Sequence, residues 1–184
     1  MQMTTALIII DIQNDYFDSG SNTLSGSLLA AKNARLILDD FRSKGLPIIH
    51  IQHLATRPAA TFFQPGTAGT DIFVEVRPFD DEKLIVKHYP NSFRETDLLE
   101  YLQSLDVSQL VICGMMTHMC VDATTRAAKD FGFECTVIGD ACATKDLEID
   151  GQQVNSTDVQ ASILAALSYF YSTIKTTKDF LSRN

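Results

Sequence analysis

The sequence predicts an α/β domain, a three-layer, doubly wound sheet of about six parallel strands with helices on both faces. Three observations lead there. Apolar runs of four to six residues alternate with longer amphipathic segments, as a parallel sheet covered on both sides requires. Three runs end on a residue able to do chemistry: Leu7-Ile8-Ile9-Ile10 on Asp11, Leu84-Ile85-Val86 on Lys87, and Leu110-Val111-Ile112-Cys113 on a turn that delivers Cys120. With 184 residues, 45% of them hydrophobic, the chain has apolar material for one core, so residues 1–184 are read as a single domain.

Taken in order, strands are expected near 5–11, 47–53, 83–87, 109–114 and 134–139, with a last one near 172–176, and helices between them. The first helix runs from Leu28 to Lys44, because Leu28, Leu29, Ile37, Leu38 and Phe41 recur at helical spacing and Gly45-Leu46-Pro47 supplies a stop. Thr96 can cap a second helix over Asp97-Leu98-Leu99-Glu100-Tyr101-Leu102. A third begins near Met119 or Cys120 and reaches Gly132. The fourth covers Thr157 to Tyr171, with Val159, Ile163, Leu164, Leu167 and Phe170 on its buried face. Two stretches match no element, Ala55 to Phe73 and Thr144 to Ser156. Loops of that length in a compact domain are usually functional or mobile, and the first is a candidate lid.

Composition excludes several functions. A formal net charge of -8 argues against a nucleic-acid partner, since neutralising phosphates needs clustered Lys and Arg. Met1-Gln2-Met3-Thr4-Thr5 carries no positive charge, and the apolar run behind it is too short to span a bilayer, so it reads as a strand and no membrane partner is expected. Cysteines at 113, 120, 135 and 142 form no CxxC pair, which suits reduced thiols in the cytoplasm. No Gly-x-Gly-x-x-Gly or Gly-Lys-Ser/Thr loop follows a strand, so no dinucleotide or phosphate cradle is expected.

In an open parallel sheet, ligands bind beyond the carboxyl ends of the strands, where Asp11, Lys87 and Cys120 can meet. An acid, an amine and a thiol in one pocket suit nucleophilic attack on a carbonyl-like carbon. Cys120 falls at or near the first turn of a helix, whose partial positive charge lowers a thiol's pKa; the plainer reading is a packed core cysteine. Asp11 ends an isoleucine strand, where low polarity raises proton affinity and suits a general base; otherwise it is a turn residue, a duty that fits Asp15 better. Lys87 alone would be a snorkelling lysine. His50 and His53 point to opposite faces of one strand and cannot share a metal. His53 can touch substrate or bond within the core. His118 competes with Asp11 as base, but two residues from Cys120 a direct contact is awkward. Cys142, at another strand end, lines the rim or packs.

Three separated motifs in order, Ala6-Leu7-Ile8-Ile9-Ile10-Asp11-Ile12-Gln13-Asn14-Asp15-Tyr16-Phe17, Lys87-His88-Tyr89-Pro90-Asn91-Ser92-Phe93 and Gly114-Met115-Met116-Thr117-His118-Met119-Cys120-Val121, carry a likeness to a known family. It resembles the isochorismatase-like cysteine hydrolases, the group that includes nicotinamidases and N-carbamoylsarcosine amidohydrolases. The resemblance implies the isochorismatase-like hydrolase fold, a catalytic triad on Asp11, Lys87 and Cys120, and a cis peptide between Met115 and Met116. The backbone N–H groups of Met116 and Cys120 would form the oxyanion hole. Substrate contacts are expected from Phe17, His53, Phe93, Met115 and Thr117, with Tyr16, Phe62 and Phe63 adding to an apolar wall.

The nicotinamidase Asp-Trp-His metal motif is replaced here by His50-Ile51-Gln52-His53-Leu54, so neither a metal nor another cofactor is expected. The implied activity is hydrolysis of an amide-type C–N bond in a small molecule through a thioacyl-enzyme. The alternatives are an isochorismatase-type enol-ether hydrolase and a catalytically idle small-molecule-binding scaffold. The resemblance also implies a homo-oligomer, dimer or tetramer.

Overall fold

Branched aliphatic residues fit a pleated strand better than a helix, and the runs rich in them form the sheet of the computed structural model, which describes residues 4–182. Met1–Met3, part of the N-terminal reading above, lie outside it. Strands β1 (Thr4–Ile10), β2 (Ile48–His53), β3 (Lys83–Lys87), β4 (Val107–Met115), β5 (Glu134–Ala143) and β8 (Thr173–Lys175) make one parallel sheet in the order β3-β2-β1-β4-β5-β8. A short antiparallel hairpin, β6 (Leu147–Ile149) and β7 (Gln152–Val154), occupies part of the unassigned stretch 144–156.

Helices α1 (Ser27–Lys44), α2 (Leu98–Ser104), α3 (Asp122–Asp130), α4 (Ser156–Phe170) and α5 (Thr177–Leu181) connect and close the strands. Two cores follow, one per face of the sheet. Leu7, Ile9 and Val111 pack with α1 on one side, while Ile8, Ile10, Ile112 and Val137 pack with Leu98, Leu102 and Leu167 on the other. Gly45, at φ 61°, ends α1 in the left-handed conformation that glycine adopts freely, and its N–H bonds the Arg42 and Phe41 carbonyls.

Two expected helix faces and one expected cap differ. Helix α1 rests on Ala30, Ala31, Ala34, Ile37, Leu38 and Phe41, while Leu28 and Leu29 are exposed. Its alanines let the helix approach the sheet closely, and the bulkier leucines flank that contact. In α4 only Val159 and Leu167 are buried, and Phe170, at the helix end, is exposed. Thr96 gives its hydrogen to the Ser92 carbonyl at 2.6 Å and takes the Leu98 N–H only at 3.4 Å, so α2 starts with a weak cap.

The segment Ala55–Phe73, expected as a candidate lid, is tied down along its length. Asp15 Oδ2 accepts the Phe63 N–H at 2.6 Å, and Oδ1 accepts that of Ser21 at 3.1 Å, the turn duty expected of Asp15. Asn14 Nδ2 donates to the Ala68 carbonyl and Gln13 Nε2 to that of Thr70. Phe63 is fully buried. The segment is a wall fastened to the turn after β1. Among the described residues no helix is long and apolar enough to cross a membrane.

Candidate active site

Parallel register sets the geometry. Ile10 pairs with Ile51 on one side and Gly114 on the other, and His53 pairs with Lys87, so the ends of β1, β2 and β3 and the turn after β4 share one edge. Asp11 leaves β1 at φ 51°, a left-handed conformation that Asp tolerates better than most residues, with its N–H bonded to the Ile51 carbonyl. Gly114 allows the closest approach: a Cβ there would sit 2.1 Å from the Ile10 carbonyl oxygen. Beyond Met115 the chain passes through a cis Met115–Met116 peptide, as the resemblance implied, into a wide π-helical turn, Thr117–Val121, that carries Cys120.

The three predicted residues meet. Lys87 Nζ lies 2.7 Å from Asp11 Oδ2 and 3.3 Å from Cys120 Sγ; both charged side chains are completely buried and Cys120 is 5% exposed. Lys87 Nζ also lies 2.9 Å from His53 Nδ1 and 3.0 Å from the Tyr89 carbonyl. Burial raises the proton affinity of Asp11 above that of an ordinary carboxyl despite the neighbouring Lys87. Burial also works against the Lys87 charge, but Asp11 and Cys120 outweigh it and hold the amine protonated. The Cys120 thiol is pushed up by burial and by Asp11. The resting centre is therefore a thiol beside a proton-hungry carboxylate, with a fixed cation bridging them.

His53 is pushed down to about 3 by burial and Lys87, so it is neutral. Its backbone is gripped by Gln13, whose Oε1 accepts the His53 N–H at 2.7 Å while Nε2 donates to the His53 carbonyl at 3.0 Å. Gln13 was not singled out from the sequence; its signal is a buried amide two residues beyond Asp11. Asp11, His53 and Cys120 offer oxygen, nitrogen and sulfur atoms within 4.8 Å of one another, a donor set suited to a transition metal. Lys87 Nζ is within 3.3 Å of an atom of each.

The expected substrate contacts divide. His53 adjoins the triad, and Tyr16, Phe62 and Phe63 cluster beside it with ring centroids 4.7 to 5.9 Å apart. Phe17 instead stacks on Phe73 in the α1-side core, and Phe93 packs with Phe131 and Phe133 on the opposite layer. Met115 is buried, and Thr117 spends its hydroxyl on the Ala143 carbonyl. His118 bonds Thr144 Oγ1 through Nδ1 at 2.6 Å, and Cys142 is buried with its thiol toward the Ile138 carbonyl. His50 takes the other face of β2, as alternation predicts, and meets Glu82, which also binds Arg42 of α1.

Comparison with known proteins agrees with this layout. The family model described as Isochorismatase domain matches residues 5–166. The uncharacterised isochorismatase family protein YddQ of Bacillus subtilis is 49% identical, over 97% of this chain and 99% of its own length. A structure from Oleispira antarctica provisionally named an isochorismatase hydrolase superposes with a TM-score of 0.94 at 43% identity, over 99% of this chain and 98% of that one. The N-carbamoylsarcosine amidase of Thermoplasma acidophilum shares the fold, with a TM-score of 0.81 at 22% identity, over 95% of this chain and 97% of the amidase.

Proposed function

This chain belongs to the isochorismatase family, and from that premise we propose that it is a cysteine hydrolase cleaving an amide-type C–N bond in a small molecule. The observation that carries the reading is the buried contact of Lys87 Nζ with both Asp11 and Cys120, at 2.7 and 3.3 Å. A fully buried ion pair is costly unless its charges are used, and its place against a thiol gives it a use.

Asp11 takes the proton of Cys120 as the sulfur attacks the carbonyl carbon, and Lys87 balances the negative charge shared between them. The backbone N–H groups of Met116 and Cys120 receive the developing oxyanion. The proton held by Asp11 passes to the departing nitrogen, which leaves as ammonia or an amine, and the acyl group stays on sulfur. Asp11 then deprotonates a water that attacks the thioester; the acid is released and the proton returns to sulfur. Tyr16, Phe62 and Phe63 supply an apolar wall for a compact acyl group, which restricts the substrate to a small molecule. The fold carries amidase chemistry in the Thermoplasma protein, which fits the proposal.

The test is a panel of small amides, ureido acids and isochorismate, scored for ammonia and pyruvate release. The expected result is ammonia from an amide or ureido acid, reduced by about a thousandfold or more in Cys120→Ser. Pyruvate release from isochorismate that survives Cys120→Ser would overturn the proposal in favour of enol-ether cleavage without the thiol.

A further inference from the structure

Four groups surround the Lys87 ammonium: Asp11 Oδ2 at 2.7 Å, His53 Nδ1 at 2.9 Å, the Tyr89 carbonyl at 3.0 Å and Cys120 Sγ at 3.3 Å. An ammonium has three hydrogens. His53 Nδ1, the Tyr89 carbonyl and Cys120 Sγ take them as hydrogen bonds, and Asp11 Oδ2 is held by its charge. Because Lys87 can only donate, His53 Nδ1 must be the ring's lone-pair nitrogen, and the proton of this neutral imidazole sits on Nε2. Nε2 has no hydrogen-bond partner among the described residues, and the side chain is 17% exposed beside the triad. Gln13 holds the backbone on both sides of the residue, and the bond from Lys87 to Nδ1 orients the ring.

We propose that His53 is a substrate-positioning residue: with Nδ1 held on Lys87, its Nε2–H presents a fixed donor to an oxygen acceptor of the substrate. The inference rests on Cys120 being the nucleophile. It deepens that reading by defining the substrate class as molecules with a carbonyl or carboxylate oxygen close to the scissile carbonyl. At the outer end, a group that offers only N–H toward Nε2 would leave two donors facing each other and is rejected. Asp11, Lys87, Cys120 and Tyr16 are the titratable groups around the centre, and the Arg57 guanidinium also bears on His53.

The two ring nitrogens can be separated by substitution. In His53→Asn, Oδ1 can stand in for Nδ1 toward Lys87 and the outer donor is gone; in His53→Gln, Nε2 can reach the outer position and the inner acceptor is lost. The probes are iodoacetamide, which carries a carbonyl next to the reacting carbon, and methyl iodide, which carries none. Alkylation of Cys120 is followed against pH by mass spectrometry. His53→Asn should lower the iodoacetamide to methyl iodide rate ratio about fivefold, the worth of one hydrogen bond, while His53→Gln preserves it. Circular dichroism establishes that the variants fold, and His53→Ala, which also lacks the outer donor, should lower the ratio as His53→Asn does. An unchanged ratio in both His53→Asn and His53→Ala overturns the proposal. Wild-type alkylation falling on a different cysteine would instead defeat the assignment of Cys120 as nucleophile.

Discussion

Replacing Lys87 by Met keeps an apolar stem of similar length inside the protein and removes the ammonium that lies against Asp11. The carboxylate is completely buried with the ammonium at 2.7 Å, so the substitution leaves a charge with neither water nor partner. Breaking a buried pair in this way costs about 3–5 kcal/mol, unless the orphaned group changes protonation. Asp11 can escape by taking a proton, and its cost then follows the pH. From an unfolded pKa near 3.8, keeping the carboxyl protonated costs about 4 kcal/mol at pH 7 and about 1.5 kcal/mol at pH 5, at roughly 1.4 kcal/mol per unit. The sign follows from the raised folded-state pKa: the contribution is favourable below the unfolded pKa and is lost as pH rises toward the folded value. Lys87→Met should therefore be strongly destabilised at pH 7 and approach the wild type at pH 5. Urea unfolding followed by far-ultraviolet circular dichroism measures this, the chain having no tryptophan. A stability gap below about 1 kcal/mol at pH 7, or one equal at the two pH values, would refute the buried-pair argument.

Glu82 takes the Arg42 guanidinium at 2.6 Å, the His50 imidazole at 2.9 Å and the Phe79 N–H at 2.9 Å; burial opposes its charge, but these partners bring it down to about 2. A depressed acid stabilises above its unfolded pKa and loses that contribution as pH falls, so Glu82→Gln should cost up to about 3 kcal/mol at pH 7, with the gap closing between pH 4.5 and 2 in denaturant titrations. Gly114→Ala should be worse tolerated than any surface change. Its Cβ would collide with the Ile10 carbonyl, and φ of 134° is unfavourable to a side chain, for a combined cost of about 2–5 kcal/mol. Thermal unfolding should show a midpoint about 10 °C lower.

The triad was legible because its residues end apolar runs, and strand direction in a parallel sheet makes those ends coincide. Asp11, Lys87 and Cys120 needed no long-range information beyond that. The His50–Glu82–Arg42 group and the Gln13 grip on His53 were not legible, since each joins residues 30 to 40 positions apart through side chains that look like ordinary loop or helix polarity. Periodicity misplaced Leu28, Leu29 and Phe170 because it marks apolar residues without saying how closely a helix can approach its sheet. Alanines decide that approach in α1. The β6–β7 hairpin carries Glu148, Gln152 and Gln153 and buries none of its residues, so it leaves no alternating apolar trace. Phe17 and Phe93 flank motif residues in sequence, yet each turns into a core on its own side of the sheet.

Strand β1 lies between β2 and β4, and its carboxylate must be joined from one flank by the amine on β3 and from the other by the thiol after β4. No half of the sheet contains all three groups. A chain that has docked only one flank is chemically silent, so the appearance of hydrolytic power during refolding marks the moment when both neighbours of the central strand are home.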